Sequence, residues 1–130
     1  MASIFTKIIN KELPATFVYE DDKHIAILDV NPNAKGHTLC VPKKEVNKIF
    51  DLEEQEYLDL LLFSRKVAIG IEKSVACKRI GLSVIGLEVP HVHVHLIPLS
   101  TMENARFTSK VKVSTEEMQK LAEDIRKNIE

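Results

Sequence analysis

Three histidines alternate with apolar residues in the short segment from Pro90 to Pro98, which reads PHVHVHLIP. Successive side chains of a β-strand point to opposite faces of the sheet, so a strand places His91, His93 and His95 on one face. The apolar residues between them then face a hydrophobic core. An α-helix would instead distribute the three imidazoles around its axis. The pattern therefore predicts a strand with one polar face and one buried face.

Hydrophobic periodicity and turn residues divide the rest of the chain into helices and further strands. Apolar residues at helical spacing predict a short helix over residues 4–9, a long helix reaching about residue 75 and a C-terminal helix over about 115–129. Asp51, with Glu54 three residues later, predicts the capping box that begins the long helix. Apolar runs between turn residues predict five strands, at residues 16–20, 24–29, 37–41, 80–85 and 93–97.

This order of elements is typical of the α+β class, in which helices pack against a largely antiparallel sheet. We expect a five-stranded sheet with one long central helix and a C-terminal helix. The chain has 130 residues, of which 45% are hydrophobic, so it can bury a core without disulfide bonds. A single domain over residues 1–130 is the expected arrangement.

Charge and cysteine content limit the classes of partner and compartment. The formal net charge is −1, so no overall positive field attracts nucleic acid or an anionic membrane. Cys40 and Cys77 lie among apolar residues, which is typical of buried thiols in a reducing compartment. Early charges in the N-terminal segment do not fit a secretory signal, and no apolar run is long enough to span a bilayer. These features predict a cytoplasmic protein.

Three imidazoles on one face of a strand have two chemical uses. They can bind a metal ion, since imidazole is a common zinc ligand. Alternatively, one histidine can act as a nucleophile or base while its neighbours orient it and donate hydrogen bonds to a substrate. The third interpretation, plain surface residues on an amphipathic strand, is disfavoured because three histidines in five positions are improbable by accident.

The histidine segment resembles the signature of the histidine-triad (HIT) family, in which three histidines alternate with apolar residues. The resemblance extends through residues 4–43, IFTKIINKELPATFVYEDDKHIAILDVNPNAKGHTLCVPK, and thus covers most of the first hundred residues. It implies the HIT-like fold. It also implies an enzyme that cleaves the α-phosphate bond of a nucleotide through a nucleotidyl-histidine intermediate and releases a mononucleotide such as AMP.

The resemblance assigns catalytic roles to four histidines. His93 matches the family nucleophile, and a neutral imidazole is a good nucleophile near neutral pH. His91 and His95 match the flanking histidines, which contact phosphate oxygens or assist the leaving group. His37, in the sequence Gly-His-Thr, matches a fourth histidine that family members bring beside the triad.

Further residues match positions that bind the nucleotide in the family. Asp29 matches the acidic residue that accepts hydrogen bonds from ribose hydroxyls. The positions that wall the base pocket correspond to Ile4, Phe5, Ile8, Leu13, Ile27 and Leu28, although composition alone would place most of these residues in the core. Gly86, Leu87 and Glu88 form the loop before the triad, where backbone N–H groups around Gly86 can contact phosphate oxygens.

The sequence departs from relatives at the positions of a structural zinc site. Some bacterial HIT proteins bind zinc with an N-terminal Cys-x-x-Cys pair and a histidine that follows the third strand. Here those positions are Ser3, Thr6 and Glu45, none of which replaces a soft zinc ligand well. We therefore expect no structural metal and no cofactor.

A second departure is the short loop before the triad. Many relatives have an Asn- and Gly-rich stretch there, whereas Ile85 is followed here almost directly by Gly86-Leu87-Glu88-Val89-Pro90. Glu88 stands where a serine or threonine usually donates to the phosphate or the leaving group. An ionised carboxylate cannot donate and repels a phosphate, unless it points away, pairs with a cation or acts as an acid.

Two main functions follow from these observations. The leading hypothesis is a hydrolase or transferase acting on a nucleoside phosphoramidate or a dinucleoside polyphosphate, and the resemblance favours a purine base. The altered loop motivates the alternative, a nucleotide-binding or interaction module with weak or vestigial catalysis. A metalloenzyme built on the three histidines is a third and weaker hypothesis. The resemblance also implies a homodimer, paired through the long helix and an edge strand.

Overall fold

The computed structural model of the protein describes residues 2–129, which contain three α-helices and one five-stranded sheet. The helices are α1 (Ile4–Ile9), α2 (Glu54–Ser74) and α3 (Thr115–Ile129). The strands are β1 (Phe17–Glu20), β2 (His24–Leu28), β3 (Thr38–Pro42), β4 (Arg79–Ser83) and β5 (Val94–Leu99). Every pairing in the sheet is antiparallel, and the strand order is β1-β2-β3-β5-β4. The predicted α+β architecture is confirmed.

Helices α2 and α3 cover one face of this sheet. Alternate residues of each strand face them, and Ala26, Cys40 and Leu96 are fully or almost fully buried there. Ile27 and Leu39 face the opposite side, where they pack with Phe5 of α1 in a second, smaller cluster. The sheet thus separates a large helix-side core from a smaller layer, and the smaller layer supports the histidines.

The two long helices approach each other closely at Gly70. A Cβ atom added to Gly70 would lie 2.5 Å from Ile129 Cγ1 and 3.1 Å from the Ile125 carbonyl oxygen. Gly70 therefore costs α2 some intrinsic helix propensity, but it allows α3 to pack against α2. Arg126 then ties α3 to the edge of the sheet, because its guanidinium donates to the carbonyl oxygens of Val18 at 3.0 Å and Phe17 at 2.7 Å.

The predicted cap of the long helix is wrong by two residues, because Glu53 rather than Asp51 precedes the first turn. Asp51 lies in a 3₁₀ turn (Ile49–Asp51), and the capping box is formed by Glu53 and Glu56. Glu53 accepts from the backbone of Glu56, whose carboxylate accepts the Glu53 N–H at 3.1 Å. The acidic run offers two capping registers at the same spacing, and the 3₁₀ turn decides between them. At α3 the Ser114 hydroxyl caps the helix by accepting the Glu117 N–H at 3.1 Å.

The histidine segment alternates between faces as predicted, but the regular strand begins one residue later than expected. Val92 and Val94 belong to the helix-side core, whereas His91 and His93 are directed to the opposite side. A tight turn, in which the His91 N–H donates to the Val89 carbonyl at 2.9 Å, keeps the first two histidines outside the ladder of β5.

The two cysteines differ in their burial. Cys40 is completely buried, and burial raises the pKa of its thiol to about 12. Cys77 is only partly buried, so the expectation of two buried thiols holds for Cys40 alone. None of the helices within residues 2–129 combines the length and apolar character needed to cross a bilayer.

Candidate active site

His91 is locked in place at both ring nitrogens. Its Nε2 lies 2.8 Å from the Pro42 carbonyl oxygen, which can only accept, so Nε2 must carry hydrogen. Its Nδ1 lies 2.6 Å from Ser3 Oγ, which donates to it. The ring is fully buried, and burial lowers its pKa although the Pro42 carbonyl and Glu45 act in the other direction. His91 is therefore a neutral, fixed ring that faces protein on both sides.

His93 is held so that one nitrogen stays free. Its Nδ1 lies 2.8 Å from the His91 carbonyl oxygen, so this nitrogen carries hydrogen and donates. In the neutral imidazole the Nε2 lone pair is then available. Phe5 of α1 packs against the ring with centroids 4.9 Å apart, and His93 lines the cavity described below. This is the arrangement that a nucleophilic imidazole needs.

His95 receives its orientation from His37. The backbone N–H of Asn33 donates to His37 Nδ1 at 3.0 Å, which leaves hydrogen on His37 Nε2. That nitrogen lies 2.9 Å from His95 Nδ1 and 3.6 Å from Asp29 Oδ2. With Nδ1 accepting from His37, the hydrogen of neutral His95 resides on Nε2. His95 is therefore set as a hydrogen-bond donor.

Burial keeps this histidine pair uncharged. It lowers the pKa of His37 to about 3, with further contributions from His95 and Lys110. It lowers the pKa of His95 to about 4, with further contributions from His93 and Lys110. Burial also raises the pKa of the Asp29 carboxyl, although the Asn31 N–H, Lys110 and His93 oppose that rise.

The histidines open into a cavity of about 520 Å³. Its lining consists of Phe5, Asp29, Asn31, Leu39, Ile85, Gly86, Leu87, Glu88, Val89, His93, His95, Phe107 and Lys110. The structure thus brings together seven residues predicted from the sequence, on α1, after β2, in the loop before the triad and in the triad itself. A cavity of this size, with apolar walls and a few polar groups, is typical of a site for a small molecule.

Several predicted residues lie elsewhere. Leu28 packs in the helix-side core, so it faces away from the cavity, because it alternates with Ile27 along β2. Ile8 and Ile27 are buried in the smaller cluster beneath the site, and Ile4 and Leu13 are exposed. These five are not among the residues that line the cavity. His37 and His91 also lie behind the lining, where they hold His95 and His93.

Phe107 and Lys110 belong to the site although no sequence motif identifies them. The Phe107 ring packs edge-on against His95 with centroids 5.0 Å apart, and Lys110 Nζ lies 5.0 Å from the centre of the Phe107 ring. The segment that carries them connects β5 to α3, and Val111 N–H donates to the Pro32 carbonyl at 3.0 Å. Only the folded chain places this distant segment beside His95.

The positions of the zinc ligands in some relatives form a hydrogen-bonded cluster here. The Glu45 carboxylate accepts from the Ser3 N–H at 2.8 Å and from the Thr6 hydroxyl at 2.6 Å. The Ser3 hydroxyl accepts the Thr6 N–H at 3.0 Å and donates to His91. These contacts connect the beginning of α1 to the first histidine of the triad.

Replacing Glu45 with glutamine should lower the melting temperature by a few degrees at neutral pH. Contacts with Thr6 and Ser3 lower the pKa of the Glu45 carboxyl from 4.5 to about 2. A lowered pKa stabilises the fold above pH 4.5 and stops doing so as the pH falls through about 2. The difference between wild type and Glu45→Gln, followed by thermal melting, should therefore shrink over this interval. Glu12→Gln, at an exposed site, is the control; an equal effect in both variants would contradict the assignment.

Asp29, His37 and His95 offer ligand atoms within 4.8 Å of one another, close enough to hold a metal ion. Their contacts with each other explain this closeness, because His37 Nε2 already donates to His95 Nδ1. A metal ion would have to replace that hydrogen bond and take the proton from His37. The geometry therefore fits a proton-carrying pair better than a metal centre.

Comparison with known proteins identifies the family. The family model described as the HIT domain matches residues 10–102. A HIT-like protein of Methanocaldococcus jannaschii is 41% identical over 106 residues, covering 73% of this chain and 77% of that protein. The adenosine 5'-monophosphoramidase of Schizosaccharomyces pombe is 32% identical over 133 residues, covering 99% of each chain.

A solved structure agrees with the sequence comparisons. A hypothetical histidine triad nucleotide-binding protein of Sulfolobus tokodaii has a TM-score of 0.82 and 33% identity, covering 96% of this chain and 90% of its own. The alternating histidines, the sheet with its helices on one face, and the family match together lead to one conclusion. The chain belongs to the histidine-triad (HIT) family.

Proposed function

We propose that this protein is a nucleotidyl hydrolase or transferase that cleaves the α-phosphate bond of a nucleoside phosphoramidate or a dinucleoside polyphosphate. The single observation that carries the proposal is the state of His93. Its Nδ1 donates to the His91 carbonyl at 2.8 Å, so the Nε2 lone pair is available at the cavity. The phosphoramidase activity in the name of the fission yeast relative supports the same class of reaction.

In the first step, His93 Nε2 attacks the α-phosphorus of the nucleotide. The new P–N bond forms as the bond from phosphorus to the leaving group breaks, and the electron pair of that bond goes to the leaving group. His95 Nε2–H lies next to His93, with ring centroids 5.0 Å apart, and supplies the proton that an amine leaving group requires. His37 keeps its own proton, and its Nε2–H, bonded to His95 Nδ1 at 2.9 Å, stabilises the His95 ring after the Nε2 proton has left.

In the second step, water attacks the nucleotidyl-histidine. One water proton passes to His95, the P–N bond breaks, and its electron pair returns to His93 Nε2. The products are a mononucleotide and the free enzyme. Splitting one displacement into two through a covalent intermediate is the advantage of a nucleophilic imidazole. If an alcohol or amine replaces water in this step, the protein acts as a transferase.

The nucleoside end of the substrate finds a carboxylate and apolar walls in the same cavity. Asp29 follows β2, and its Oδ1 accepts the Asn31 N–H at 2.8 Å. We assign to its second oxygen, 3.6 Å from His37 Nε2, the role of accepting from ribose hydroxyls. Phe5, Leu39 and Val89 contribute apolar walls for a base. We assign a purine on the family resemblance and on the adenosine compound in the name of the fission yeast relative.

We further propose a cytoplasmic homodimer with one domain over residues 1–130. Apolar side chains are exposed on α2 at Leu58 and Leu62 and on the edge strand β4 at Leu82. Exposed apolar side chains at such positions are typical of a surface that pairs with a second copy. Sedimentation equilibrium of wild type and of Leu62→Glu tests the dimer, which is rejected if both variants sediment as monomers.

A second candidate function, a nucleotide-binding module with little catalysis, is favoured by one observation. Glu88 lines the cavity where a phosphate group would enter, and its charge opposes that entry. Release of AMP from adenosine 5'-phosphoramidate and from diadenosine tetraphosphate separates the two functions. No release from either substrate, together with micromolar binding of AMP, would favour the module and contradict the enzyme.

Replacing Glu88 with serine should raise kcat/KM several-fold for both substrates. The change removes a negative charge from the phosphate path and adds a hydroxyl donor, and one such charge-assisted contact is worth about tenfold or less at an exposed site. Glu12→Ser, which lies outside the cavity lining, is the matched control. An unchanged or lower kcat/KM for Glu88→Ser would mean that this carboxylate points away from the substrate or assists the reaction.

A further inference from the structure

Lys110 is held at the cavity by two contacts. Its ammonium donates to the Asn33 side-chain oxygen at 2.7 Å and lies 5.0 Å from the centre of the Phe107 ring. Asn33 is almost completely buried, and its amide nitrogen donates to the Asn104 carbonyl at 3.1 Å. The partner of the ammonium is therefore itself fixed, which gives this exposed lysine a defined position.

The same asparagine connects Lys110 to the catalytic histidines. The Asn33 backbone N–H sets the tautomer of His37, and His37 orients His95. Ring contacts continue from His93 to His95 and from His95 to Phe107, each with centroids 5.0 Å apart. Lys110 follows Phe107 in this series. In the order His93, His95, Phe107, Lys110, the lysine therefore lies on the far side of the proton donor His95 from the nucleophile His93.

The charges at the cavity make Lys110 distinctive. Among the described lining residues, Asp29 and Glu88 are acidic, and Lys110 is the only lysine or arginine. The other lysines near the end of β3 pair with carboxylates away from the cavity lining, Lys43 with Glu20 at 2.7 Å and Lys44 with Glu56 at 3.0 Å. A phosphate chain entering this cavity meets two negative charges and one fixed positive charge.

We propose that Lys110 binds the phosphate of the leaving group and makes the site selective for nucleotides whose leaving group is itself phosphorylated. This inference rests on the proposed function, because the position of the leaving group is defined by attack from His93 and proton donation by His95. A polyphosphate departs as an anion, which the ammonium stabilises. A neutral amine gains nothing from Lys110 and depends on the proton of His95. Dinucleoside polyphosphates are thus the preferred substrate class.

The kinetic test compares diadenosine tetraphosphate with adenosine 5'-phosphoramidate. Lys110→Gln keeps a hydrogen-bond donor and removes the charge, Lys110→Arg keeps the charge, and Lys112→Met is the control at an exposed neighbouring site. We expect Lys110→Gln to reduce kcat/KM about tenfold or more for the tetraphosphate, the effect of losing one charged contact, and less than about threefold for the phosphoramidate. Lys110→Arg and Lys112→Met should keep the wild-type ratio of kcat/KM for the tetraphosphate to kcat/KM for the phosphoramidate. Equal losses for the two substrates, or no loss, would overturn the proposal.

A binding measurement keeps the test independent of turnover. Titration calorimetry with AMP and with ADP compares the nucleotide alone with the nucleotide carrying one phosphate at the leaving-group position. Wild type should bind ADP more tightly than AMP, and Lys110→Gln should lose most of that preference while its melting temperature stays near that of wild type. A preference for ADP that Lys110→Gln retains would overturn the role of Lys110. If the wild type releases AMP from neither substrate, the catalytic function itself is contradicted.

Discussion

Replacing His93 with alanine is expected to abolish turnover while nucleotide binding survives. The variant loses the triad imidazole whose Nε2 offers a lone pair at the cavity, whereas His95 Nε2 carries hydrogen and His91 Nε2 donates to Pro42, so no nucleotidyl intermediate can form. Losing a covalent nucleophile typically costs about a thousandfold or more in kcat. The Asp29 carboxylate and the apolar walls of the cavity remain, so calorimetry should still detect binding of AMP. A steady-state assay of AMP release measures the loss.

His24 provides the matched control for this variant. It is also a buried histidine, but it stacks on Phe63 of α2 on the other face of the sheet and bonds to Asp21. His24→Gln should keep its activity per folded molecule even if its melting temperature falls. Full activity in His93→Ala would refute the nucleophile assignment. Equal losses in both variants would attribute the effect to folding instead.

The second large effect is a loss of stability on mild acidification. His37 and His95 are held neutral in the folded protein, with pKa values of about 3 and about 4 against 6.5 for an ordinary histidine. Below pH 6.5 the unfolded chain binds protons that the folded chain does not, so stability falls as the pH falls. Each histidine that stays fully neutral contributes a slope of up to about 1.4 kcal/mol per pH unit.

Denaturant unfolding at several pH values between 6.5 and about 5 measures how stability depends on pH. Most carboxyl groups titrate below this interval, so they contribute little to the slope. His37→Gln should unfold with a smaller pH dependence than wild type, even if the variant is less stable at every pH. Glu12→Gln, at an exposed site away from the histidines, should keep the wild-type slope. A stability of wild type that is constant over this interval would contradict the neutral histidine pair.

The alternation in the histidine segment was enough to predict which face of the sheet carries the site. Residues of alternating character have a period of two that only a strand satisfies, and the apolar members Val92 and Val94 do enter the core. The same rule excludes Leu28 from the cavity once Ile27 faces the site side, because neighbours in a strand face opposite sides. The resemblance assigned both residues to the base pocket. In the strand, Ile27 faces the site side of the sheet and Leu28 faces the helix-side core.

Phe107, Lys110 and Asn33 could not be predicted from the sequence. They come from two segments more than seventy positions apart, and their meeting depends on long-range contacts such as the Lys110–Asn33 hydrogen bond. The hydrogen-bonded cluster of Ser3, Thr6 and Glu45 was visible only as missing zinc ligands. Its actual role in holding His91 follows from side-chain geometry, which neither periodicity nor composition encodes.

Trapping the covalent intermediate tests the central role of His93 most directly. Wild-type protein is mixed with diadenosine tetraphosphate in a single turnover, quenched in alkaline denaturant to protect the P–N bond, digested and analysed by mass spectrometry. We expect one nucleotidyl group on the peptide that contains the triad, localised to His93 and lost in His93→Ala. A nucleotidyl group on a residue other than His93 in the wild type would contradict the assignment. A nucleotidyl group that still forms in His93→Ala would contradict it as well.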